Sequence, residues 1–546
     1  MKKVLLSFTF LLIFFTSSFA CTNLLVGKHA STDGSTMVTY SADSYALFGE
    51  LYHWPAATYP KGTMLEVYEW DTGKFLGSIP QAQQTYNVVG NMNEHQLCIG
   101  ETTFTGRGEL SDSTGIMDYG SLIYITLQRA KNARDAIQTI ASLVESHGYY
   151  SSGESFSIVD KNEVWVMELI GKGPGRKGAV WVAQRIPDDC ISAHANQARI
   201  QQFPLKDKDN CIYSKDVISF AREKGYFKGK DADFSFAKAY APLDFGALRF
   251  CEARVWSFFN RYNKDAAQWL DYVKGNNLNL EPMPLYIRPD RKLSAKDLMD
   301  MMRDHYEGTE LDMTLDVGAG PFASPMRFAP LKWEVDSVTY CNERPIGTQQ
   351  TGFTFVGQMR SHLPDIIGGV LWFGMDDATF TVYTPMYACM TSIPECYRVG
   401  NGNLYEFSWT SSFWIHNWVA NMAYPRYSQM IQDIKPVQDI LEESFQVIQV
   451  SVENQALKLM EDDEEKAVAM LTNYSIDQAQ RAFDTWKKLG EKLMVKYVDG
   501  IVRKEQNGVF ERNAHGNPSN PIREGYPEQH YRKIVEGSGE KFKVTN

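Results

Sequence analysis

Short apolar runs of strand length, separated by turn signals, fill the first two hundred residues, and this alternation constrains the fold more than any other feature. Residues 22–27 and 35–41 read as two strands joined across Asp33-Gly34, a hairpin-turn pair. Residues 96–103 form a third candidate. Residues 156–159 and 164–169 flank Asp160-Lys161-Asn162-Glu163, and 179–183 return as the next strand. Between them, 121–147 carries helical spacing. Successive hairpins without crossover helices predict antiparallel sheets with inserted helices, an α+β chain rather than a run of βαβ units. Gly173-Pro174-Gly175-Arg176-Lys177-Gly178 fits G-x-G-x-x-G, but a strand follows it where a dinucleotide site needs a helix. It reads as a loop between two strands.

Further on, 295–305 is predicted helical, with Ser294 as N-cap and Asp297 three residues later. Residues 318–325 read as a loop, and 352–356, 369–373 and 378–383 as buried strands. From Pro436 to about Lys504, Leu441, Phe445, Ile448, Leu471, Trp486, Leu489 and Leu493 recur at helical intervals among charges. The division expected is 1–20 as a leader, 21–435 as the main domain, and 436–546 as a helical region packed on it with a loosely held end.

The leader is a secretory signal. Lys2 and Lys3 precede an apolar stretch over 4–15, and Ser18-Phe19-Ala20 offers small residues at the positions a signal peptidase reads. The stretch is too short to span a hydrocarbon core of about 30 Å. Segment 407–425 lacks formal charges but holds Ser408, Thr410, His416, Asn417 and Asn421, so it reads as a buried or loop-containing core segment. The expected chain is exported, periplasmic or secreted, with no stable membrane insertion after cleavage. A formal net charge of −11 argues against nucleic-acid binding, and 44% hydrophobic with 13% aromatic residues excludes a disordered chain.

Cleavage after Ala20 makes Cys21 the first residue. A thiol of ordinary pKa, about 8.5, is only partly thiolate at neutral pH, whereas an α-amino group titrates near 7.7–8.0. One terminal residue then carries a nucleophile and its general base, and no catalytic His is required. Two other readings stand beside this: Cys21 as a lipid-attachment site, for which Ser18 and Phe19 fit poorly, and Cys21 in a disulfide. With Cys21 set apart, seven cysteines remain, so at least one is unpaired or pairs between chains. Cys389 and Cys396 are a candidate pair. No C-x-x-C, H-E-x-x-H or G-x-S-x-G occurs, which leaves a zinc site or a serine nucleophile elbow unsupported. His194 reads as a supporting residue.

Cys21-Thr22-Asn23-Leu24-Leu25-Val26-Gly27-Lys28, followed by Ser31-Thr32-Asp33-Gly34-Ser35-Thr36-Met37, resembles the start of the dipeptidase family of N-terminal-nucleophile (Ntn) cysteine peptidases. Penicillin V acylase and conjugated bile acid hydrolase are its more distant relatives. Matches continue in order through Gly100-Glu101-Thr102-Thr103, Gly153-Glu154-Ser155-Phe156, Ala193-His194-Ala195-Asn196-Gln197-Ala198-Arg199, Arg254-Val255-Trp256, Gly347-Thr348-Gln349-Gln350-Thr351-Gly352-Phe353 and Tyr383-Thr384-Pro385-Met386-Tyr387. The resemblance implies an Ntn-hydrolase αββα sandwich and hydrolysis of dipeptides without metal or organic cofactor. It also implies roles: Cys21 as nucleophile, Asp43 as an acid contacting the nucleophile residue, Asn196 at the oxyanion, Arg254 as a cation near the nucleophile, and Thr102-Thr103 as a further oxyanion stretch. The family commonly has Arg-Asn three and two residues before its acid. Here Tyr40-Ser41 stand there, which alters the local charge balance. Two alternatives are an Ntn amidase or acylase acting on acylated amino acids, and a Cys21-lipidated binding protein.

Overall fold

A computed structural model describes residues 21–544, so the leader assigned to 1–20 lies outside the described residues. The longer strands of the two main sheets are β1 (Asn23–Val26), β2 (Thr36–Asp43), β3 (Cys98–Phe104), β4 (Gly153–Val159), β5 (Val164–Gly171), β6 (Ala179–Ile186), β7 (Ile191–His194), β8 (Thr351–Met359), β9 (Gly369–Met375) and β10 (Thr384–Tyr387). The first hairpin is closed by Asp33, whose carboxylate accepts the Ser35 N–H at 3.0 Å and the Ser35 hydroxyl at 2.6 Å. Every residue of β1, β2, β4, β5, β8 and β9 is buried, as strands covered on both faces must be.

The first sheet runs Tyr286–Ile287, β7, β1, β2, β8, β9, β10. The second runs Cys211–Tyr213, β6, β5, β4, β3, then Met92–Asn93, Val88–Val89 and His53–Trp54. All these pairings are antiparallel. The sheets meet where β1 and β2 lie against β3. Asn23 donates its side-chain amide to the Glu101 carbonyl at 2.7 Å, and a Cβ on Gly100 would stand 2.3 Å from Asn23 Oδ1. Only glycine lets the sheets approach this closely, and that contact fixes β3 beside residue 21.

Helices cover the outer faces. Leu122 and Ile125 of α1 (Tyr119–Leu127) and Ile137, Ile140 and Val144 of α2 (Ala133–His147) bury against Ile99, Phe156, Ile158, Trp165 and Met167 of the second sheet. The single helix expected over 121–147 is thus two. Asn132 breaks it by accepting the Asp135 N–H at 2.9 Å as a fresh N-cap, and Asp160 takes the Ala133 N–H at 2.8 Å. Next come α3 (Ala253–Tyr262), α4 (Ala295–Met301) and α5 (Ser412–Ala423). The Ser294/Asp297 capping box forms, but α4 stops at Met301 rather than at His305, where the His305 N–H turns to the Glu307 carboxylate at 2.8 Å.

Two long helices follow, α6 (Tyr427–Asp462) and α7 (Glu464–Tyr497), joined at Asp463. They run antiparallel, since Tyr474 reaches the Phe445 carbonyl and Lys496 reaches Asp433. Helical structure begins before Pro436 and passes through it. Both helices seal the first sheet: Tyr387 donates to Glu453 at 2.8 Å, Arg360 pairs with Glu453 at 2.7 Å, and Arg303 pairs with the fully buried Glu442. Residues 378–383 are not the expected strand. Arg303 takes the Ala378 and Thr381 carbonyls and Gln438 takes those of Thr379 and Thr381, so the backbone bonds side chains, and the strand starts only at Thr384. The terminal helix α8 (Glu528–Ser538) has no buried residue.

All eight cysteines are unpaired. Cys389 and Cys396, expected as a pair, each sit buried instead, and burial pushes both thiols up to about 12. Among the described residues no helix is long and apolar enough to cross a membrane.

Candidate active site

Cys21 stands two residues before the start of β1 and is 5% exposed. Its neighbour Thr22 bridges Ser41 of β2, which brings residue 21 level with the end of that strand. The thiol lies 3.5 Å from Glu101 Oε1 and 3.8 Å from the Tyr40 hydroxyl. Burial pushes its pKa well up, the carboxylates of Glu101 and Asp43 add to this, and the Asp43 main chain and Tyr40 oppose it. The thiol is held protonated in this chain, in which Cys21 is still amide-linked at its nitrogen.

Asp43 closes β2. Its carboxylate accepts Arg344 Nη2 at 2.8 Å, the Thr351 hydroxyl at 2.7 Å and the Ser41 hydroxyl at 3.2 Å. Burial raises its pKa, and Arg344 and Thr351 act against that. Arg254, on α3 and 1% exposed, ties the site together. Nη1 donates to the Cys21 carbonyl at 2.7 Å and to the Thr22 hydroxyl at 2.8 Å. Nη2 donates to the Ala195 carbonyl at 3.1 Å and to Asn196 Oδ1 at 2.8 Å. The expected cation therefore stands beside Cys21, bonded to its carbonyl. Asn196 has φ of 63°, a left-handed conformation that Asn tolerates better than most residues, and it donates Nδ2 to the Thr103 carbonyl at 2.8 Å.

The two threonines separate. Thr102 is buried, with its hydroxyl 2.7 Å from His194 Nδ1, while Ser157 holds Nε2 at 2.7 Å. Burial, helped by Arg199, pulls His194 down to about 3, so it is neutral, and both ring nitrogens are engaged. Thr103 instead borders a cleft of about 450 Å³ shared with Asn196, Arg254, Arg344, Lys332 and Asp244.

Sequence reasoning gave no role to Glu101, Glu154, Tyr40 or Arg344. In the β3–β4 register Glu101 opposes Phe156 and Thr103 opposes Glu154, which makes the two glutamates diagonal neighbours. Both are buried, and their carboxyls touch. Burial and the Glu101 charge hold Glu154 well above the usual carboxylate range, so it keeps its proton and donates it to Glu101. Tyr40, at the position where the resemblance implies Arg, donates its hydroxyl to Glu101 Oε1. Among the described residues no cluster of three or more His, Cys, Asp or Glu is placed to hold a metal ion.

The sequence model of peptidase family C69 matches residues 20–53 and 46–439, with Cys21, Asp43, Asn196 and Arg254 all inside the match. The chain belongs to peptidase family C69 and is a hydrolase of the peptidase class. It is 27% identical to a probable dipeptidase of Salmonella dublin over 413 residues, covering 71% of this chain and 86% of that protein. It is 24% identical to a probable dipeptidase of Latilactobacillus sakei, over 80% of this chain and 89% of that protein. It is also 24% identical to dipeptidase A of Lactobacillus helveticus, over 74% and 82%.

Proposed function

We propose that this protein is an exported cysteine dipeptidase of the Ntn type, activated when its leader is removed ahead of Cys21. One observation carries the reading: the first residue after the predicted cleavage point is the buried cysteine on which Glu101, Tyr40 and the Asp43 main chain converge, while Arg254 links its carbonyl to Asn196. The layer order of helices, sheet, sheet and helices supports an αββα Ntn-hydrolase fold, with 21–435 as the catalytic domain. The dipeptidase names of the relatives supply the substrate class.

In this mechanism the α-amino group of mature Cys21 takes the thiol proton and the thiolate adds to the peptide carbonyl. Asn196 and backbone N–H groups receive the oxyanion. The ammonium passes its proton to the departing amine, the C–N bond breaks, and a thioester to the N-terminal amino acid remains. Water, deprotonated by the same amine, then cleaves the thioester and restores the thiol. Asp43 orients the amine. N-terminal sequencing and intact mass of the exported protein are expected to show a chain that starts at an unmodified Cys21 and hydrolyses dipeptides in the presence of a chelator. A fatty-acylated Cys21, or full activity in an uncut chain, overturns the reading.

The cleft beside the site is cationic, with Arg254, Arg344 and Lys332 against one acid, Asp244. It suits the free carboxylate of the leaving amino acid. Lys332 is exposed, so its share is small, about 0.2–1 kcal/mol. Lys332→Met is expected to raise KM for dipeptides about 2–5-fold, with kcat and the KM for dipeptide amides unchanged. Equal changes on both substrates remove Lys332 from carboxylate recognition.

A further inference from the structure

The carboxyl pair Glu101–Glu154 is the least explained feature near the nucleophile. Glu101 is 1% exposed and Glu154 fully buried. Tyr40 occupies Glu101 Oε1 and Thr103 occupies Glu154 Oε2, whereas Glu101 Oε2 and Glu154 Oε1 accept no N–H from the other described residues. Two touching buried carboxyls share one proton, because two adjacent charges in a poorly solvated site repel. One negative charge remains. Among the described residues no Lys, Arg or His side chain forms an ion pair with either carboxyl, and an uncompensated buried charge is costly. Such a site is completed by a cation that arrives from outside.

We propose that Glu101, backed by Glu154, receives the free α-ammonium of the dipeptide, which makes an unblocked amino terminus next to the scissile bond the feature that this enzyme selects. The inference rests on the dipeptidase reading above and names the group that would enforce it. Bond geometry places a dipeptide's α-nitrogen about 2.5 Å from its scissile carbonyl carbon. A carbonyl attacked by the Cys21 sulfur therefore carries its ammonium to the edge of Glu101, whose Oε1 is 3.5 Å from that sulfur. Tyr40 fixes the carboxylate from one side and Glu154 from the other, so the acceptor is set before substrate enters. A second amino acid on the N-terminal side would turn the nitrogen into an amide, which brings no charge and needs the space that Glu101 fills. The same group thereby favours dipeptides over longer peptides. One rival cation exists: the α-ammonium of mature Cys21 itself.

The test compares one dipeptide with its counterpart in which hydrogen replaces the α-amino group, using mature wild type, Glu101→Gln and Glu101→Asp. Wild type is expected to prefer the free-amine dipeptide by at least about 100-fold in kcat/KM, since a site built for a buried polar contact rejects a ligand that lacks it. Glu101→Gln also removes a charge beside the Cys21 thiol and so acts on both substrates, but it is expected to shrink the ratio between them about 100-fold, with the loss on the dipeptide mostly in KM. Glu101→Asp should recover part of the preference. Equal losses on both substrates would mean that Glu101 serves only Cys21, and the assignment would fall. The wild-type comparison decides even if both variants misfold: no preference for the free amine overturns the proposal without disturbing the dipeptidase reading. A mature wild type that cleaves neither substrate overturns the dipeptidase reading, and the assignment falls with it.

Discussion

A mature chain carrying one extra residue before Cys21 is expected to lose about 10²–10⁴-fold in kcat/KM, the usual worth of a positioned general base, while its thiol remains present and its fold unchanged. The added peptide bond turns the amine into an amide that cannot accept a proton. Among the described residues nothing else near the sulfur replaces it. His194 is neutral, with both nitrogens bonded to Thr102 and Ser157. Glu101 touches the thiol, but it already accepts protons from Tyr40 and Glu154, and its charge raises the thiol pKa rather than lowering it. In the proposed mechanism the sulfur thus depends on a base delivered by cleavage. Cys21→Ala in the correctly trimmed chain should give no turnover with an unchanged melting temperature, and Cys21→Ser a small residue of activity because the amine survives. The measurement is kcat/KM on a dipeptide alongside intact mass and thiol titration. An extended chain with full activity and a titratable thiol would show that the base lies elsewhere.

The first hairpin, the β4–β5 hairpin across Asp160 to Glu163 and the loop at Gly173 to Gly178 follow from period-two alternation and turn residues, which act within a few positions. The reading failed where side chains captured backbone groups. Asn132 splits one helical pattern into two, and Arg303 with Gln438 holds 378–383 out of the sheet. Both depend on partners that only the fold brings near. The same limit applied at the site. Cys21, Asn196 and Arg254 could be named as candidates because each lies in a quotable motif, and Asp43 because the resemblance implies an acid there. Glu101 and Glu154 lie in such motifs too, yet their contact comes from strand register, and that no described Lys, Arg or His pairs with them shows only in three dimensions. Arg344, ninety residues after Arg254, carried no local signal for its bond to Asp43.

Replacing Asn196 by glycine is expected to lower kcat about 10²–10³-fold with little change in KM, the cost of removing one oxyanion donor. Glycine is the right probe because residue 196 has φ of 63°, where alanine would add backbone strain of about 1–2 kcal/mol and blur the result. The amide's Nδ2 is anchored on the Thr103 carbonyl and its Oδ1 on Arg254, so its second amide hydrogen is held in place before substrate arrives. Such a donor needs no reorganisation when charge develops on the carbonyl oxygen, which is why its loss should appear in kcat rather than in binding. The substitution also frees Arg254 Nη2 from one acceptor but leaves it the Ala195 carbonyl, and Nη1 keeps Cys21 and Thr22. The nucleophile strand should therefore stay in position and the melting temperature should hold. A parallel rise in KM, or a fall in thermal stability that tracks the lost activity, would assign Asn196 to substrate binding or to structure and leave backbone N–H groups as the oxyanion donors.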